Sequence, residues 1–244
     1  MKTNRYQRRF YRQWVDKKRL YLTLVRVKET DLQILTDKPV EKSFIREKIE
    51  KYRGDIECYI NKDNRFLTSL KPVPVELNAP LIIRAMAHAA KLANVGPMAA
   101  VAGAIAQFLG NDLLREGCKE VIIENGGDLF LKIRKTSLIG IYSGRRKFFN
   151  QLKLKIRPQD TPLGICCSSG TVGHSLNFGL ADSVIILAKN AILADAVATA
   201  ASNRVQSKQD MVKAINFARG IKGIAAVVII LKNNLSTWGK VVLK

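Results

Sequence analysis

Residues 119–134, KEVIIENGGDLFLKIR, mark the point where the chain changes from helical to strand-forming patterns. Two apolar segments rich in Val, Ile, Leu and Phe flank Asn125-Gly126-Gly127, and Asn-Gly between such segments is the strongest short signal for a β-hairpin. The same turn also has a functional interpretation. Gly126 and Gly127 would let the backbone approach a ligand while Asp128 stands at the rim of the site.

Outward from this hairpin, alternating apolar residues predict further strands, and apolar residues at helical spacing predict five helices. The strands are expected at 20–27, 31–35, 119–124, 128–134, 138–142, 152–156, 164–167, 183–188, 223–231 and 239–243, and the helices at about 40–61, 80–92, 97–114, 191–203 and 209–218. Runs of strands and pairs of helices favour an α+β fold over a doubly wound parallel sheet. Since no Ser/Gly-rich linker divides the chain, we expect one domain over residues 1–244, including a basic, aromatic segment at 1–19.

The composition excludes several classes of protein. The 244 residues carry 41 Lys and Arg against 20 Asp and Glu, a formal net charge of +21, and 47% of them are hydrophobic. This is globular usage and excludes disordered, collagen-like and coiled-coil chains. No apolar segment has the length of a signal-peptide core or a spanning helix, and the four cysteines lack CxxC spacing, so we expect a cytoplasmic protein outside the membrane.

The positive charge leaves nucleic-acid binding open as an alternative function. Nine Lys and Arg lie between residues 132 and 157 with no acidic residue among them, near Phe148 and Phe149. Basic surfaces with aromatic side chains suit single-stranded RNA. However, neither an RRM signature nor a KH GXXG loop accompanies the charge, and a basic proteome or a hot habitat accounts for surplus lysine equally well.

A second motif, SSGTVGHS at 168–175, concentrates hydroxyl groups and glycines. Such a loop can present backbone N–H groups and side-chain oxygens to a phosphate, although the GK[ST] of a P-loop is missing. His174 is a candidate general base, whereas His88 lies mid-helix among alanines and is expected to pack in the core. The candidate ligand-binding residues of the two motifs are Gly126, Gly127, Asp128, Ser168, Ser169, Gly170, Thr171 and Gly173.

A third motif is LADAVATA at 193–200, in which Asp195 and Thr199 share one face of a helix. A carboxylate with a hydroxyl is the hard-oxygen donor set that Mg²⁺ prefers, with water or phosphate completing the octahedron. The structural alternative is that Asp195 lies in the first helical turn and complements the helix dipole. Asp195 is also a second candidate for the catalytic base, beside His174.

Taken in this order, the Gly-Gly-Asp hairpin at 126–128, the Ser-Ser-Gly…His segment at 168–174 and the Ala-Asp-Ala…Thr helix at 194–199 resemble the ApbE-like family. Its characterised members, related to thiamine biosynthesis proteins, are FAD:protein FMN transferases. VGPMAAVAGA at 95–104 and SSGTVGHSL at 168–176 are similar to the uncharacterised intracellular branch of that family.

This resemblance implies a T-fold-related, duplicated architecture of antiparallel sheets with helices packed on one side. It implies that Asp195 and Thr199 hold Mg²⁺, that FAD or a related nucleotide is the ligand, and that a protein acceptor is a partner. The oligomeric state stays open and includes a homo-oligomer. The implied function is the binding of a flavin or another nucleotide diphosphate with Mg²⁺. If the chain is an enzyme, the implied reaction is a transfer of the FAD:protein FMN type.

The chain also departs from the transferases at two charged groups. Where they carry Gly-Gly-Ile-Ala-Lys-Gly-Tyr with an Asp downstream, this chain has GPMAAVA at 96–102. Where they carry His-x-x-Asp-Pro, it has HSLNF at 174–178. The resemblance therefore implies metal and diphosphate binding more directly than it implies FMN transfer.

Cys166 and Cys167 stand directly before the Ser-Ser-Gly segment and leave sulfur handling open as a further alternative. Backbone N–H groups of the loop would favour a thiolate at Cys166. The similar branch is associated, through the resemblance alone, with sulfur assimilation toward homocysteine, which would make this chain an auxiliary protein in sulfur trafficking. The structural alternative is that the cysteines are small core residues of a strand.

Overall fold

Within residues 19–141, 149–170 and 177–244, which this computed structural model describes, the chain forms ten strands and six α-helices. The strands are β1 (Tyr21–Val27), β2 (Thr30–Thr36), β3 (Val121–Asn125), β4 (Asp128–Lys132), β5 (Ser137–Gly140), β6 (Lys153–Ile156), β7 (Leu163–Ser168), β8 (Ser183–Ala188), β9 (Ile224–Leu231) and β10 (Asn234–Gly239). The helices are α1 (Lys42–Lys62), α2 (Arg65–Thr68), α3 (Leu81–Ala93), α4 (Val101–Arg115), α5 (Ala191–Asn203) and α6 (Asp210–Arg219).

Eight strands form one sheet in the order β1-β2-β3-β4-β7-β8-β9-β10, and every neighbouring pair is antiparallel. Helices α1 to α4 connect β2 to β3, while α5 and α6 connect β8 to β9. Each half therefore runs hairpin, helices, hairpin, and the halves join where β4 pairs with β7. This topology confirms the α+β class with a duplicated antiparallel architecture.

The helices pack on one face of the eight-stranded sheet. The core on this face combines alternate strand residues, such as Ile123 and Phe130, with helix residues such as Ile49 and Leu109. On the opposite face, the other strand residues pack against the separate β5–β6 hairpin, to which Leu154 belongs. Both faces of the central strands are thus buried, which explains their almost unbroken apolar sequences.

The position of α1 follows from its sequence. Its buried residues recur every three or four positions, at Ile45, Ile49, Tyr52, Ile56 and Tyr59. This spacing aligns them on one face of a helix. The predicted helix at 97–114 also forms, although its beginning, Pro97–Ala100, is a 3-10 turn that precedes α4.

The last strand differs from the prediction of 239–243. After β9, a two-residue turn in which Lys232 has a φ of +54° returns the chain as β10, which ends at Gly239. Because Lys232-Asn233 contains no glycine, the turn gives no strong hairpin signal in the sequence. The residues beyond β10 instead approach β6, where Leu243 forms an isolated bridge with Leu154.

No single helix in the described parts of the chain is both long and apolar enough to cross a membrane. The two apolar segments that reach the required length together, Leu81–Ala93 and Pro97–Arg115, meet at an angle of 102°.

Helix α5 approaches β7 closely at Gly164. A Cβ added to Gly164 would lie 2.3 Å from the Cα of Ala191 and 2.6 Å from its nitrogen, both of them backbone atoms. Since Ala191 begins α5, the absence of a side chain at Gly164 sets the height of the start of this helix above the sheet.

Replacing Gly164 by Ala should lower the free energy of unfolding by about 1–3 kcal/mol, because the added methyl group forces α5 away from β7. Urea denaturation measures this change. Gly54→Ala is the matched control, since Gly54 lies inside α1 and, its own helix backbone aside, no described atom comes within 4 Å of an added Cβ. The control should gain up to about 1 kcal/mol from helix propensity. A Gly164→Ala variant as stable as the wild type would contradict the tight contact.

Candidate functional site

The β3–β4 connection is a two-residue hairpin turn. Asn125 pairs with Asp128 across it, and Gly126 and Gly127 have φ values of +70° and +107°, which favour glycine. A carboxylate oxygen of Glu124 accepts a 2.8 Å hydrogen bond from the Gly127 N–H. No described atom lies within 4 Å of a Cβ added to Gly127, so the turn has room for an approaching group. The hairpin interpretation is thus confirmed, and the ligand-binding interpretation stays a prediction.

Asp195 does not lie at the start of its helix. The side chain of Asn190 caps α5 by accepting hydrogen bonds from the N–H groups of Ile192 and Leu193, at 2.8 and 3.2 Å. Asp195 follows beyond this first turn, and its Oδ2 accepts a 2.9 Å hydrogen bond from the Gly103 N–H on α4. The alternative in which Asp195 complements the helix dipole is therefore wrong, because another residue caps the helix and the carboxylate points to a neighbouring one.

Two buried carboxylates lie near each other at this point. Asp195 is 9% exposed and Asp128 is 7% exposed. Burial raises the pKa of Asp195 well above the usual range of a carboxyl group, and the negative charge of Asp128 raises that pKa further. Hydrogen bonds from the Gly103 and Ala102 backbone oppose the shift. Among the described residues, no basic side chain forms an ion pair with Asp195, so a proton or a cation is needed to balance its charge.

The pair forms where the two halves of the fold meet. Asp128 belongs to β4 of the first half, and its Oδ1 accepts a 3.2 Å hydrogen bond from the Cys167 N–H on β7 of the second half. Asp195 belongs to α5 of the second half and contacts Gly103 of the first half. The first and third sequence motifs thus come together although the two carboxylates are 67 positions apart in the sequence.

The donor set at Asp195 fits a magnesium ion. Asp195 offers a carboxylate, and Thr199, half-buried one helical turn further along α5, offers a hydroxyl group. The described residues contain no group of three or more His, Cys, Asp and Glu side chains that could hold a metal. Any Mg²⁺ would therefore take its remaining ligands from backbone carbonyls, water or phosphate, as Mg²⁺ commonly does.

The Ser-Ser-Gly segment leaves β7 beside this pair. Ser168 ends the strand and is buried, and the Gly170 N–H donates a 3.0 Å hydrogen bond to the Ala181 carbonyl. Ser169 and Gly170 are half-buried. The predicted site residues Thr171, Gly173 and His174 lie outside the described residues.

Asn177 is a residue that the motif analysis did not assign to the site. Its side chain contacts Ser168 and the Gly179 backbone. The only signal for Asn177 in the sequence is its place in HSLNF, at the position where the transferases that this chain resembles carry Asp.

His88, which was expected to pack in the core, is instead exposed, because it falls on the outer face of α3.

The prediction of a thiolate at Cys166 is wrong. The thiol is fully buried and donates a 3.3 Å hydrogen bond to the Ala191 carbonyl. Burial raises its pKa well above the usual range, and the charges of Asp128 and Asp195 raise it further. Burial also raises the pKa of Cys167 to about 11, with its Sγ 3.1 Å from the Ser183 Oγ. The raised pKa values of both thiols disfavour the thiolate form, so the site offers no support for the thiolate that the sequence predicts, and sulfur handling stays an alternative from the sequence.

The basic run at 132–157 is split by the structure. Lys153 on β6 is exposed, as are Arg134 and Lys135 before β5, while residues 142–148, which carry three of the nine cations, lie outside the described part. Nucleic-acid binding stays an alternative that rests on composition.

The architecture is that of the flavin transferases. The apo structure of the Pseudomonas stutzeri flavinyl transferase ApbE superposes with a TM-score of 0.61 at 11% identity, covering 91% of this chain and 95% of that chain. The flavin transferase ApbE from Vibrio cholerae gives a TM-score of 0.58 at 12% identity, covering 92% and 97%. At these identities the likeness establishes the fold.

The sequence comparisons establish the family. The family model described as "AbpE bacteria" matches residues 12–231. The UPF0280 protein of Methanocaldococcus jannaschii is 40% identical over 220 residues, covering 88% of this chain and 89% of that protein. The UPF0280 protein of Methanocella arvoryzae is 35% identical over 214 residues, covering 88% and 86%. The chain belongs to this ApbE-like family, as the resemblance of its motifs indicated.

Asp195→Asn should raise the melting temperature of the metal-free protein at neutral pH. The pKa of Asp195 is raised in the fold, so the folded state holds a proton that the unfolded state releases above about pH 4. Stability is therefore lost as pH rises above that value, and the Asn variant, which keeps an acceptor for Gly103, avoids the loss. In a chain of this length, each 1 kcal/mol gained raises Tm by about 2–4 °C.

Thermal melts in EDTA across pH 4 to 8 measure this effect, and the advantage of the variant should grow with pH. Asp112→Asn is the control, because Asp112 is equally buried but accepts from the Tyr52 hydroxyl and pairs with Arg115. The control should melt lower than wild type. An Asp195→Asn variant that also melts lower at every pH would show that the carboxylate stabilises the fold.

Proposed function

We propose that this protein binds a flavin nucleotide through its diphosphate, together with Mg²⁺, at the junction of the two halves. The observation that carries this proposal is the buried carboxylate of Asp195, whose hydrogen bonds within the described residues come from the backbone and which lies near the like charge of Asp128. Such an arrangement costs stability in the empty protein and is compensated when a cation binds. The fold shared with flavin transferases supports a flavin nucleotide as the ligand.

Each motif contributes a different part of the proposed site. Asp195 and Thr199 would hold Mg²⁺, which offsets the negative charge of a diphosphate and polarises it. The hydroxyl and N–H groups of Ser168, Ser169 and Gly170 would bind phosphate oxygens, together with Thr171 and Gly173 from the sequence prediction. The turn at Gly126 and Gly127, with Asp128 beside it, would line the flavin or base.

Binding is the core of this proposal, and transfer to a protein acceptor is a secondary part of it. The segment 96–102, where the transferases carry Lys, leads directly into Gly103 and lies beside Asp195. It brings backbone groups to the carboxylate, and Ala102 accepts a 3.2 Å hydrogen bond from the Asn125 side chain. If an acceptor hydroxyl is to attack, Asp195 or His174 would serve as its base.

Titration calorimetry tests the proposal by measuring Mg²⁺ binding with and without FAD. One carboxylate and one hydroxyl should hold Mg²⁺ weakly in the absence of FAD, with a Kd on the order of 1 mM. When the FAD diphosphate adds negatively charged ligands, the Kd for Mg²⁺ should fall by at least about tenfold. Asp195→Ala should abolish this coupling, whereas Asp112→Asn, an equally buried carboxylate on α4 with its own partners, should retain it.

The same titrations at lower pH should show weaker Mg²⁺ binding. The raised pKa of Asp195 means that a proton competes for the site above the usual titration range of a carboxyl group, and metal uptake must release that proton. Mg²⁺ binding that is indifferent to FAD, to pH and to Asp195→Ala would contradict the proposed site.

A further inference from the structure

Residues 242–244, called the terminal segment below, extend the small β5–β6 sheet. The N–H of Lys153 donates a 2.9 Å hydrogen bond to the main-chain oxygen of Lys244, and the N–H of Lys244 donates a 3.0 Å hydrogen bond to the Lys153 oxygen. The Lys155 N–H donates a further 2.9 Å hydrogen bond to the Val242 oxygen. Because Lys153 and Lys244 exchange both bonds, they lie directly opposite each other in an antiparallel pair.

The two faces of this extended sheet differ in chemistry. Leu154 belongs to the core between the two sheets, and its bridge partner Leu243 packs against the same core. Since successive residues of an extended chain point to opposite faces, Lys153, Lys155 and Lys244 point to the outer face. Their exposure agrees with this, because Lys153 and Lys244 are exposed and Lys155 is half-buried. The outer face therefore carries lysines on β6 and on the terminal segment.

Two further exposed cations continue these lines beyond the sheet. Arg157 follows the end of β6, and Lys240 precedes the terminal segment. The Arg157 Nε donates a 3.0 Å hydrogen bond to Asp160. Hydrogen bonds from Arg157 lower the pKa of the Asp160 carboxyl group, and the positive charges of Arg157 and Lys240 lower it further. Asp160 thus offsets charge at this end of the outer face.

The other end of the outer face has no such compensation. Among the described residues, no acidic side chain forms an ion pair with Lys153, Lys155 or Lys244. Residues 132–157, which include β5, β6 and the connection between them, contain neither Asp nor Glu. The connection between the two strands can therefore add positive charge to this face but cannot neutralise it.

The remaining described residues of the outer face are apolar or small. Leu138, 41% exposed, pairs with Lys155, and Val242 is 49% exposed. Both lie within the sheet, level with the lysines, and not on an amphipathic helix of the kind that enters a bilayer surface. Phe149 is buried in the core, so its ring is not available to stack on a base.

We infer that the outer face of the small sheet, with Lys153, Lys155 and Lys244 as its contact residues, binds the phosphate backbone of nucleic acid. Lysines two residues apart on a strand recur at about 7 Å, which fits a ligand that repeats its negative charge along its length. Because the exposed described residues of this face include no aromatic ring, phosphate contacts supply the affinity, and binding is independent of base sequence.

This surface is separate from the proposed flavin site. Asp195 lies on α5, on the helix side of the eight-stranded sheet, whereas the small sheet covers the opposite side. The inference therefore goes beyond the proposed function and does not depend on it.

Fluorescence anisotropy with labelled single-stranded RNA and duplex DNA, at a series of salt concentrations, tests this inference. The variant Lys153→Gln/Lys155→Gln/Lys244→Gln removes three cations from the outer face. If each contacts a phosphate, the slope of log affinity against log salt becomes less steep by about 2 for the single strand and about 3 for the duplex. The affinity at low salt should fall by at least about tenfold.

The matched control is Lys51→Gln/Lys91→Gln/Lys208→Gln. These three lysines are also exposed, on α1, on α3 and just before α6, so the control loses the same charge from the helix side of the molecule. Its salt slope should change by less than about 1, since the removed charges are not in contact with the phosphates. Melting temperatures establish that both variants fold, and both should bind FAD as the wild type does.

Equal effects of the two triple variants would assign the attraction to the net charge of the chain and overturn the inference. A wild-type protein that binds neither nucleic acid at low salt would overturn it as well. Phosphatidylserine vesicles provide the other comparison. Vesicle binding that the outer-face variant loses, without any binding of nucleic acid, would assign the face to a membrane surface and contradict the inference. Each of these outcomes leaves the flavin proposal to its own titrations.

Discussion

The close contact between Gly164 on β7 and Ala191 at the start of α5 is the constraint on which the site depends. Because no side chain separates them, α5 lies against the sheet where the two halves of the fold meet. Asp195, one turn further along α5, is thereby brought to the Gly103 N–H and near Asp128. A larger separation would move the carboxylate away from its backbone donor. The packing of one helix thus determines the electrostatics of the candidate site.

In the proposed function, this arrangement gives up stability in the empty protein in favour of ligand binding. Burying a carboxylate beside another without a basic partner is unfavourable, and the raised pKa of Asp195 expresses that cost. Hydrophobic cores on both faces of the sheet stabilise the surrounding fold, so the protein can tolerate one unfavourable site. Sites of this kind commonly serve a function, because a ligand that supplies the missing charge is bound with the free energy that the empty site lacks.

Much of the fold was predictable from the sequence, because its signals are local. The spacing of Ile45, Ile49 and Tyr52 identifies α1, and Gly126-Gly127 identifies the central hairpin. The turn at Lys232 was missed since it contains no glycine, and the protonated state of Cys166 was missed since burial depends on the tertiary structure.

The candidate site also has a part that the sequence predicts and a part that only the structure reveals. The three motifs name Asp128, Ser168 and Asp195, but the sequence does not show that the charge of Asp128 acts on Asp195 at the junction of the halves. Asn177 was missed because the hydrogen bond that joins it to Ser168 depends on how the fold returns the chain to the end of β7. A polar residue in a motif is visible in the sequence, whereas the partner of its hydrogen bond is visible only in three dimensions.

A crystal structure with FAD and Mn²⁺, a stand-in for Mg²⁺ that is visible by anomalous scattering, tests the central claim most directly. The account predicts one anomalous peak coordinated by the Asp195 carboxylate and the Thr199 hydroxyl, with the FAD diphosphate on the same ion. An FAD molecule bound elsewhere on the protein would contradict it, as would an Asp195 carboxylate that keeps its Gly103 hydrogen bond while the metal lies at another site.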